Sequence, residues 1–280
     1  MDLSTFSSQL ERDPSGIWRP IAKNRDATIS FPENGHASCF EIENDSFWFL
    51  HRNEAISLAL ARYRFEGPFL DVGGGNGAVS RRLQTDGITT VVLEPGQEGA
   101  SNARTTGLDN VVCATLEQAA FEPGSFGGAG LFDVIEHVED DVGLLDAVRD
   151  VLRPGGVLAV TVPAYEWLWS AEDELAGHHR RYTLRQLRHV LETSGFAVRY
   201  ETYFFAPLTV PLFFARSLRY RLSSKRTAAA EIETNAAAQH TPGGASRKAM
   251  EAMLAPELTR IAKGATIPFG TSCLAIATVA

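Results

Sequence analysis

Asp71-Val72-Gly73-Gly74-Gly75-Asn76-Gly77 joins an apolar run to a helical pattern, and it is the strongest chemical signal in the sequence. Glycines there let the backbone turn tightly and approach a ligand without intervening side chains. The free N–H groups at the start of the following helix favour an anion. Gly73, Gly75 and Ala78 also satisfy G-x-G-x-x-A, the dinucleotide fingerprint. Glu94 ends the next apolar run, where an acid accepts hydrogen bonds from ribose hydroxyls. The two features point to a nucleoside-bearing ligand without choosing its class.

A second stretch, Val162–Tyr182, combines the aromatics Tyr165, Trp167, Trp169 and Tyr182 with acids and the run His178-His179-Arg180-Arg181. Two readings stand. The aromatics could stack on an apolar or ring-bearing substrate while arginine reads a carboxylate or phosphate. Alternatively the arginines pair with Glu172, Asp173 and Glu174 as structural salt bridges. A third stretch, Ser46–Asn53, poses a similar choice. Phe47, Trp48 and Phe49 either anchor a helix on the core, or that helix lids the site with His51 and Arg52 facing the substrate.

These segments need a scaffold. FLDV (69–72), TVVLE (90–94), VVCA (111–114), AGLFDV (129–134), VLAVTV (157–162) and FAVRYETYFF (196–205) read as strands. Helices are expected between them at Asn76–Thr85, Asp140–Leu152 and from the Thr183/Gln186 capping box to Ser194. This alternation predicts a parallel sheet with helices on both faces, and ligands in such sheets bind outside the carboxyl ends of the strands. Residues 1–65 are read as an irregular lead-in over 1–40 and a helix over Glu41–Tyr63, capped by Asn44, Asp45 or Ser46. The core would occupy 66–205. A helical insertion over 206–265 comprises an apolar helix at Ala206–Leu222, a polar stretch at Ser223–Ser246 expected to be mobile, and a helix at Ala249–Lys263. The final strand would lie within 266–280.

The net charge of −8 argues against a nucleic-acid partner, which requires a basic face. Cys39, Cys113 and Cys273 are far apart and no pair has CxxC spacing, so neither a metal site nor a disulfide framework is expected. That usage, and an N-terminus without a basic region followed by an apolar core, suits a cytoplasmic protein. Tyr203–Leu218 is too short and too interrupted by Pro207, Pro211 and Arg216 to span a membrane. Ala206–Leu222 is read as packing on the domain or on a second copy of the chain, a homodimer, ahead of lying on a membrane or gripping a long acceptor.

LDVGGGNG, VLEPG, FDVIEHVEDD and LRPGGVLAVTVP follow one another as in class I S-adenosylmethionine-dependent methyltransferases, which the chain resembles over residues 66–205. It looks most like the branch containing ubiquinone-biosynthesis O-methyltransferases and bacterial small-molecule methyltransferases. The resemblance implies an α/β fold with a doubly wound, mostly parallel seven-stranded Rossmann-like sheet whose last strand is antiparallel. It implies S-adenosyl-L-methionine as cofactor, its methionyl part on Asp71, Gly73, Gly74, Gly75, Asn76 and Gly77, with Asp71 on the ammonium side. Glu94 would bind the ribose diol and Pro95 lie beside the adenine. Thr115 and Leu116 would sit at the adenine edge, and Phe132 and Asp133 near the sulfonium. The acid common just after the third strand is lacking, so backbone carbonyls would hold the adenine amino group. His137 would touch cofactor or substrate, or pack locally at a helix start.

Methyl transfer is a displacement that needs aligned partners, and a hydroxyl acceptor benefits from a base. His178 is the first candidate for that base, with His179 and His137 next. The expected activity is methylation of a small-molecule hydroxyl, ahead of an amine. A lipid- or glycan-linked acceptor comes second, and an NAD-dependent oxidoreductase is the competing class.

Overall fold

Every residue of the short apolar runs Phe69–Val72 and Thr90–Leu93 is buried, so both faces of these strands must be covered. They are β3 and β4 in a computed structural model that describes residues 1–22, 40, 43, 45–222 and 244–280. β5 (Val111–Val112), β4, β3, β6 (Phe126–Phe132) and β7 (Leu152–Pro163) pair in parallel. β9 (Ser272–Val279) runs antiparallel between β7 and β8 (Phe196–Phe204), which makes it the antiparallel last strand expected.

The sheet has nine strands, not seven, in the order β1-β2-β5-β4-β3-β6-β7-β9-β8. The two additions, β1 (Leu10–Arg12) and β2 (Trp18–Pro20), form a hairpin in the lead-in that was read as irregular. Each is three residues long, too short for an alternating pattern to register. β2 joins the sheet through Trp18 opposite Val112, where the Trp18 carbonyl accepts from the Cys113 amide at 2.8 Å. The Arg153-Pro154-Gly155-Gly156 turn stops the preceding helix without delaying the strand. It bulges out of β7, whose register with β6 shifts between Phe126 and Gly128.

Helix α1 (Phe47–Leu60) starts later than expected, because the Ser46 hydroxyl accepts from the Trp48 amide and fixes its first turn. It is followed by α2 (Ala78–Thr85), α3 (Gln97–Thr105), α4 (Leu116–Ala119), α5 (Asp141–Val151), α6 (Ala171–Ala176) and α7 (Leu184–Thr193). The expected Thr183/Gln186 capping box opens α7. Segment 206–222 is not one regular helix. It passes from a 3-10 turn (Ala206–Leu208) through α (Thr209–Leu212) and π (Phe213–Leu218) turns to a last α turn (Arg219–Leu222). Pro207 and Pro211 carry no N–H for a regular ladder. Helix α8 (Gly244–Ala262) packs along α1.

One apolar core, including Leu70, Leu131, Leu145 and Leu187, lies on one face of the sheet. A second, including Ile56, Phe69, Phe204, Leu254 and Ile261, lies on the other and fastens α1 and α8 to it. Cys113 and Cys273 are free thiols. Among the described residues no helix is long and apolar enough to cross a membrane. Cys39, Asn44 and most of Ser223–Ser246, with the mobility expected there, lie outside the described residues.

Candidate active site

The loops after β3, β4, β5, β6 and β7 converge at the carboxyl rim of the sheet around a cavity of about 560 Å³. The glycine loop builds one wall. Gly73 and Gly74 donate their amides to the Leu93 carbonyl at 2.8 and 3.3 Å, which draws the loop across the end of β4. Gly73 has φ +66°, and a Cβ added there would lie 2.9 Å from the Val134 side chain. A Cβ on Gly74 would meet the Asp71 carboxyl group at 3.0 Å. Only bare backbone fits against the cavity here.

Two buried acids face this loop. Asp71 accepts from the Ser80 hydroxyl at 2.7 Å, and burial pushes its carboxyl up to about 6. Glu94 accepts from the Gly96 amide at 2.6 Å and the Gly75 amide at 2.9 Å. Burial raises it to about 7, against those two hydrogen bonds and with help from the Asp71 charge. Asn76, Pro95 and Thr115 complete this half of the wall.

The opposite half brings together Trp48 and Arg52 from α1 with Phe132, Asp133, Glu136 and His137 from the loop after β6. Asp133 has φ +58°, and Arg52 Nη1 donates to its carboxylate at 2.6 Å. Glu136 is fully buried, and neither of its carboxylate oxygens has a hydrogen-bond partner among the described residues. Burial and the nearby Asp133 charge hold it well above the usual carboxylate range. Burial, with the neighbouring His178, lowers His137 to about 4.

The His178 ring meets that of His137 edge to face, with centroids 4.6 Å apart. Its Nδ1 donates to Asp173 Oδ1 at 2.8 Å, and Arg181 grips the same carboxylate through Nε at 2.7 Å and Nη2 at 2.8 Å. Burial alone would raise Asp173, but the hydrogen bonds from His178 and Arg181 outweigh it and bring the group to about 2. No metal site was expected from sequence. Ligand atoms of Glu136, His137 and His178 nevertheless lie within 4.8 Å of one another, close enough to share a cation.

Several expected residues lie elsewhere. Gly77 opens α2 behind the loop, and Leu116 begins α4 outside the wall. Phe47 packs into the core, and His51 turns away to donate to Glu257 on α8 at 3.1 Å. Tyr165 stacks on Tyr203, while Trp167 is exposed against Phe213. Trp169 and the exposed His179 are outside the wall too, which removes His179 as a base. Arg180 and Tyr182 both bind the Asp141 carboxylate, at 2.9 and 2.7 Å, as structural ties to α5. Only Arg181 takes one of the expected acidic partners, Asp173, and it still faces the cavity. Sequence reading passed over Glu136, Leu212, Arg216 and Ser217, which all line it. A second acid, three residues after Asp133 and flanked by Ile135, was the one available signal for Glu136.

A close-packed glycine loop beside a strand-end acid, on a parallel sheet with an antiparallel last strand, is the arrangement of a methyltransferase-type α/β domain. The methyltransferase domain family matches residues 48–201, more than half of the chain, and the chain belongs to that family. A ubiquinone biosynthesis O-methyltransferase of Pectobacterium carotovorum is 31% identical over 117 residues, which cover 38% of this chain and 49% of that protein. The chain thus spans about half the length of the curated relatives that it matches. An S-adenosylmethionine-dependent methyltransferase of Thermotoga maritima superposes with a TM-score of 0.54 at 15% identity, covering 88% of this chain and 96% of that one. A phosphoethanolamine N-methyltransferase of Haemonchus contortus, solved with S-adenosyl-L-methionine, gives 0.55 at 17% identity over 94% of this chain and 62% of that one. At such identities the likeness is one of fold.

Proposed function

We propose that the chain is an S-adenosylmethionine-dependent methyltransferase acting on a hydroxyl, ahead of an amine, of a small-molecule acceptor. The observation that carries this reading is the pairing of buried Asp71 and Glu94 around a loop whose Gly73 and Gly74 leave no room for a Cβ. Such a cradle fits a ligand with an amino-acid end and a ribose. Asp71 would face the ammonium group, the helix-start amides of Ala78 and Val79 the carboxylate, and Glu94 the ribose diol. Pro95 and Thr115 would flank the adenine.

S-adenosylmethionine supplies an electrophilic methyl group when bound. The chain's own residues then have to orient the acceptor, exclude water and manage one proton. Trp48 and Arg52 form the α1 side of the chamber, and Leu212 and Ser217 another side. His178 would take the acceptor's hydroxyl proton; its support is the Asp173 contact at Nδ1, which leaves Nε2 as the basic nitrogen. Asp173 and Arg181 serve as positioning residues.

Calorimetry with S-adenosylhomocysteine against NAD tests the cofactor class. Binding of the first and not the second is expected, and the reverse would overturn the reading. For the base, His178→Ala should retain S-adenosylhomocysteine binding while methyl transfer to a panel of phenolic acceptors falls by about a hundredfold or more. Full turnover in that variant would remove His178 from the role.

A further inference from the structure

Segment 206–222 is apolar on two sides. A helix that merely packs on a domain buries apolar side chains and exposes polar ones. Here the inward side packs Leu208 and Leu212 against the core and adds polar contacts to them. The Ser217 hydroxyl donates to the Leu168 carbonyl at 2.8 Å, Arg216 pairs with Glu172 at 3.1 Å, and Arg221 donates to the Trp167 carbonyl at 3.0 Å. The outward side is apolar. Leu222 (80%), Val210 (62%) and Phe214 (59%) are the three most exposed large apolar side chains among the described residues. Val210 and Phe214 are four positions apart and share a face.

Charge separates this segment from the rest of the chain. The protein carries −8, yet no acid occurs between Glu201 and Glu231, and Arg216, Arg219 and Arg221 fall in that interval. Glu172 on α6 pairs with Arg216, and Glu174 accepts from the Tyr220 hydroxyl. Arg219 is exposed beside the apolar face, and Arg221 is exposed with one guanidinium nitrogen on the Trp167 carbonyl. A small apolar wedge bordered by arginines matches the acyl boundary and phosphate layer of an anionic bilayer.

We propose that the outer face of segment 206–222 docks the protein on an anionic phospholipid membrane, with Val210, Phe214 and Leu222 entering the interface and Arg219 at the phosphates. The opposite side of the segment, through Leu212, Arg216 and Ser217, lines the cavity, so docking would set the chamber beside the bilayer. This inference does not depend on methyl transfer.

The full chain is sedimented with phosphatidylcholine vesicles and with vesicles containing phosphatidylglycerol at low salt. Binding to the anionic vesicles alone is expected. Phe214→Glu should weaken it at least tenfold, and Arg219→Glu more than about fivefold, since each basic residue near such a surface contributes about 1 kcal/mol and the new carboxylate adds repulsion. S-adenosylhomocysteine binding by both variants controls for folding. No sedimentation with anionic vesicles, or undiminished binding by Phe214→Glu, would overturn the proposal. So would light scattering that shows a dimer converted to monomer by Phe214→Glu, because the face would then belong to a second copy.

Discussion

Arg52 on α1 and Asp133 at the end of β6 are joined at 2.6 Å, and this ion pair ties the N-terminal helix to the rim of the sheet. Asp133 has φ +58°, a left-handed backbone that a non-glycine residue adopts only when its surroundings hold it. Thr161 supplies the rest of the hold: its carbonyl accepts from the Asp133 amide at 2.9 Å, and its hydroxyl donates to the carboxylate at 3.2 Å. Arg52→Ala should therefore loosen α1 more than the sheet. Asp133 is nearly a third exposed, so solvent screening limits the loss to about 1–2 kcal/mol. Urea unfolding should show that loss, and amide exchange should accelerate over 47–60 and not in β3 or β4. Unchanged exchange in α1 would mean that its apolar face alone holds it.

The two acids of the cradle make ligand binding and stability respond to pH in opposite senses. Asp71 rises to about 6 and Glu94 to about 7 in the folded chain. Between about pH 4 and pH 7 the native state thus holds protons that the unfolded chain has released, and stability falls as pH rises through that window. Ribose hydroxyls and an ammonium group prefer the ionised carboxylates. Affinity for S-adenosylhomocysteine should climb with pH up to about 7, by as much as about tenfold per unit where Glu94 titrates. Glu94→Gln should bind more weakly and lose the steepest part of this dependence. Calorimetry from pH 5 to 8 measures the binding arm, and urea midpoints over the same range measure the stability arm. Affinity that decreases with pH would contradict the assignment of Glu94.

A second tie to α1 lies on its other side. Glu257 of α8 is buried and accepts from the amides of Phe205 and Ala206, which begin segment 206–222, and from His51 Nε2. Trp48 stacks on Phe205 with centroids 3.8 Å apart. One carboxylate thus joins α1, α8 and the entry to the segment. Glu257→Ala would strand the buried Phe205 amide, the half-buried Ala206 amide and a histidine, at a cost of about 3 kcal/mol. Glu257→Gln keeps an acceptor and should recover part of it. Chemical denaturation of both variants measures the difference, and S-adenosylhomocysteine affinity should stay the same because Glu257 does not line the cavity. Equal stability of all three proteins would show that the carboxylate carries no load.

What could be read from sequence follows from the range of the forces involved. Phe69–Val72 and Thr90–Leu93 were legible because a strand buried on both faces is mostly apolar, Asp71 and Thr90 being the exceptions, and the Thr183/Gln186 box because capping is local. Side-chain direction was not legible. His51 and Arg52 are neighbours on α1, yet about 100° apart around the helix axis, so one reaches α8 and the other the cavity. Periodicity gives that angle without saying which face meets the site, because α1 is buried on more than one side. His178 and His179 divide in the same way on an extended loop, where the Glu136 carbonyl takes the His179 amide and the ring points outward. The β1–β2 hairpin escaped notice because its place depends on Trp18 meeting β5, a contact almost a hundred residues distant.

Gly77 links the cradle to the helix that forms its base without touching the cavity. It stands at φ +79° as the first cap of α2, and its amide donates to the Gly74 carbonyl at 2.9 Å, closing the loop on itself. A Cβ there would fall 2.2 Å from Leu108 Cδ1 and 3.2 Å from Ala103 Cβ. Gly77→Ala therefore meets two penalties, a left-handed backbone and an overlap with a buried leucine, of about 1–3 kcal/mol each. The chain can relieve both only by moving the turn, which carries Gly74 and Gly75 away from Leu93 and Glu94. Thermal unfolding should register the destabilisation, and S-adenosylhomocysteine should bind at least tenfold more weakly. Leu108→Ala costs a buried leucine of its own, so the comparison is made within that background, where Gly77→Ala should cost less than in the parent because only the backbone penalty remains. No cost there would show that packing alone, and not the left-handed turn, requires glycine at this position.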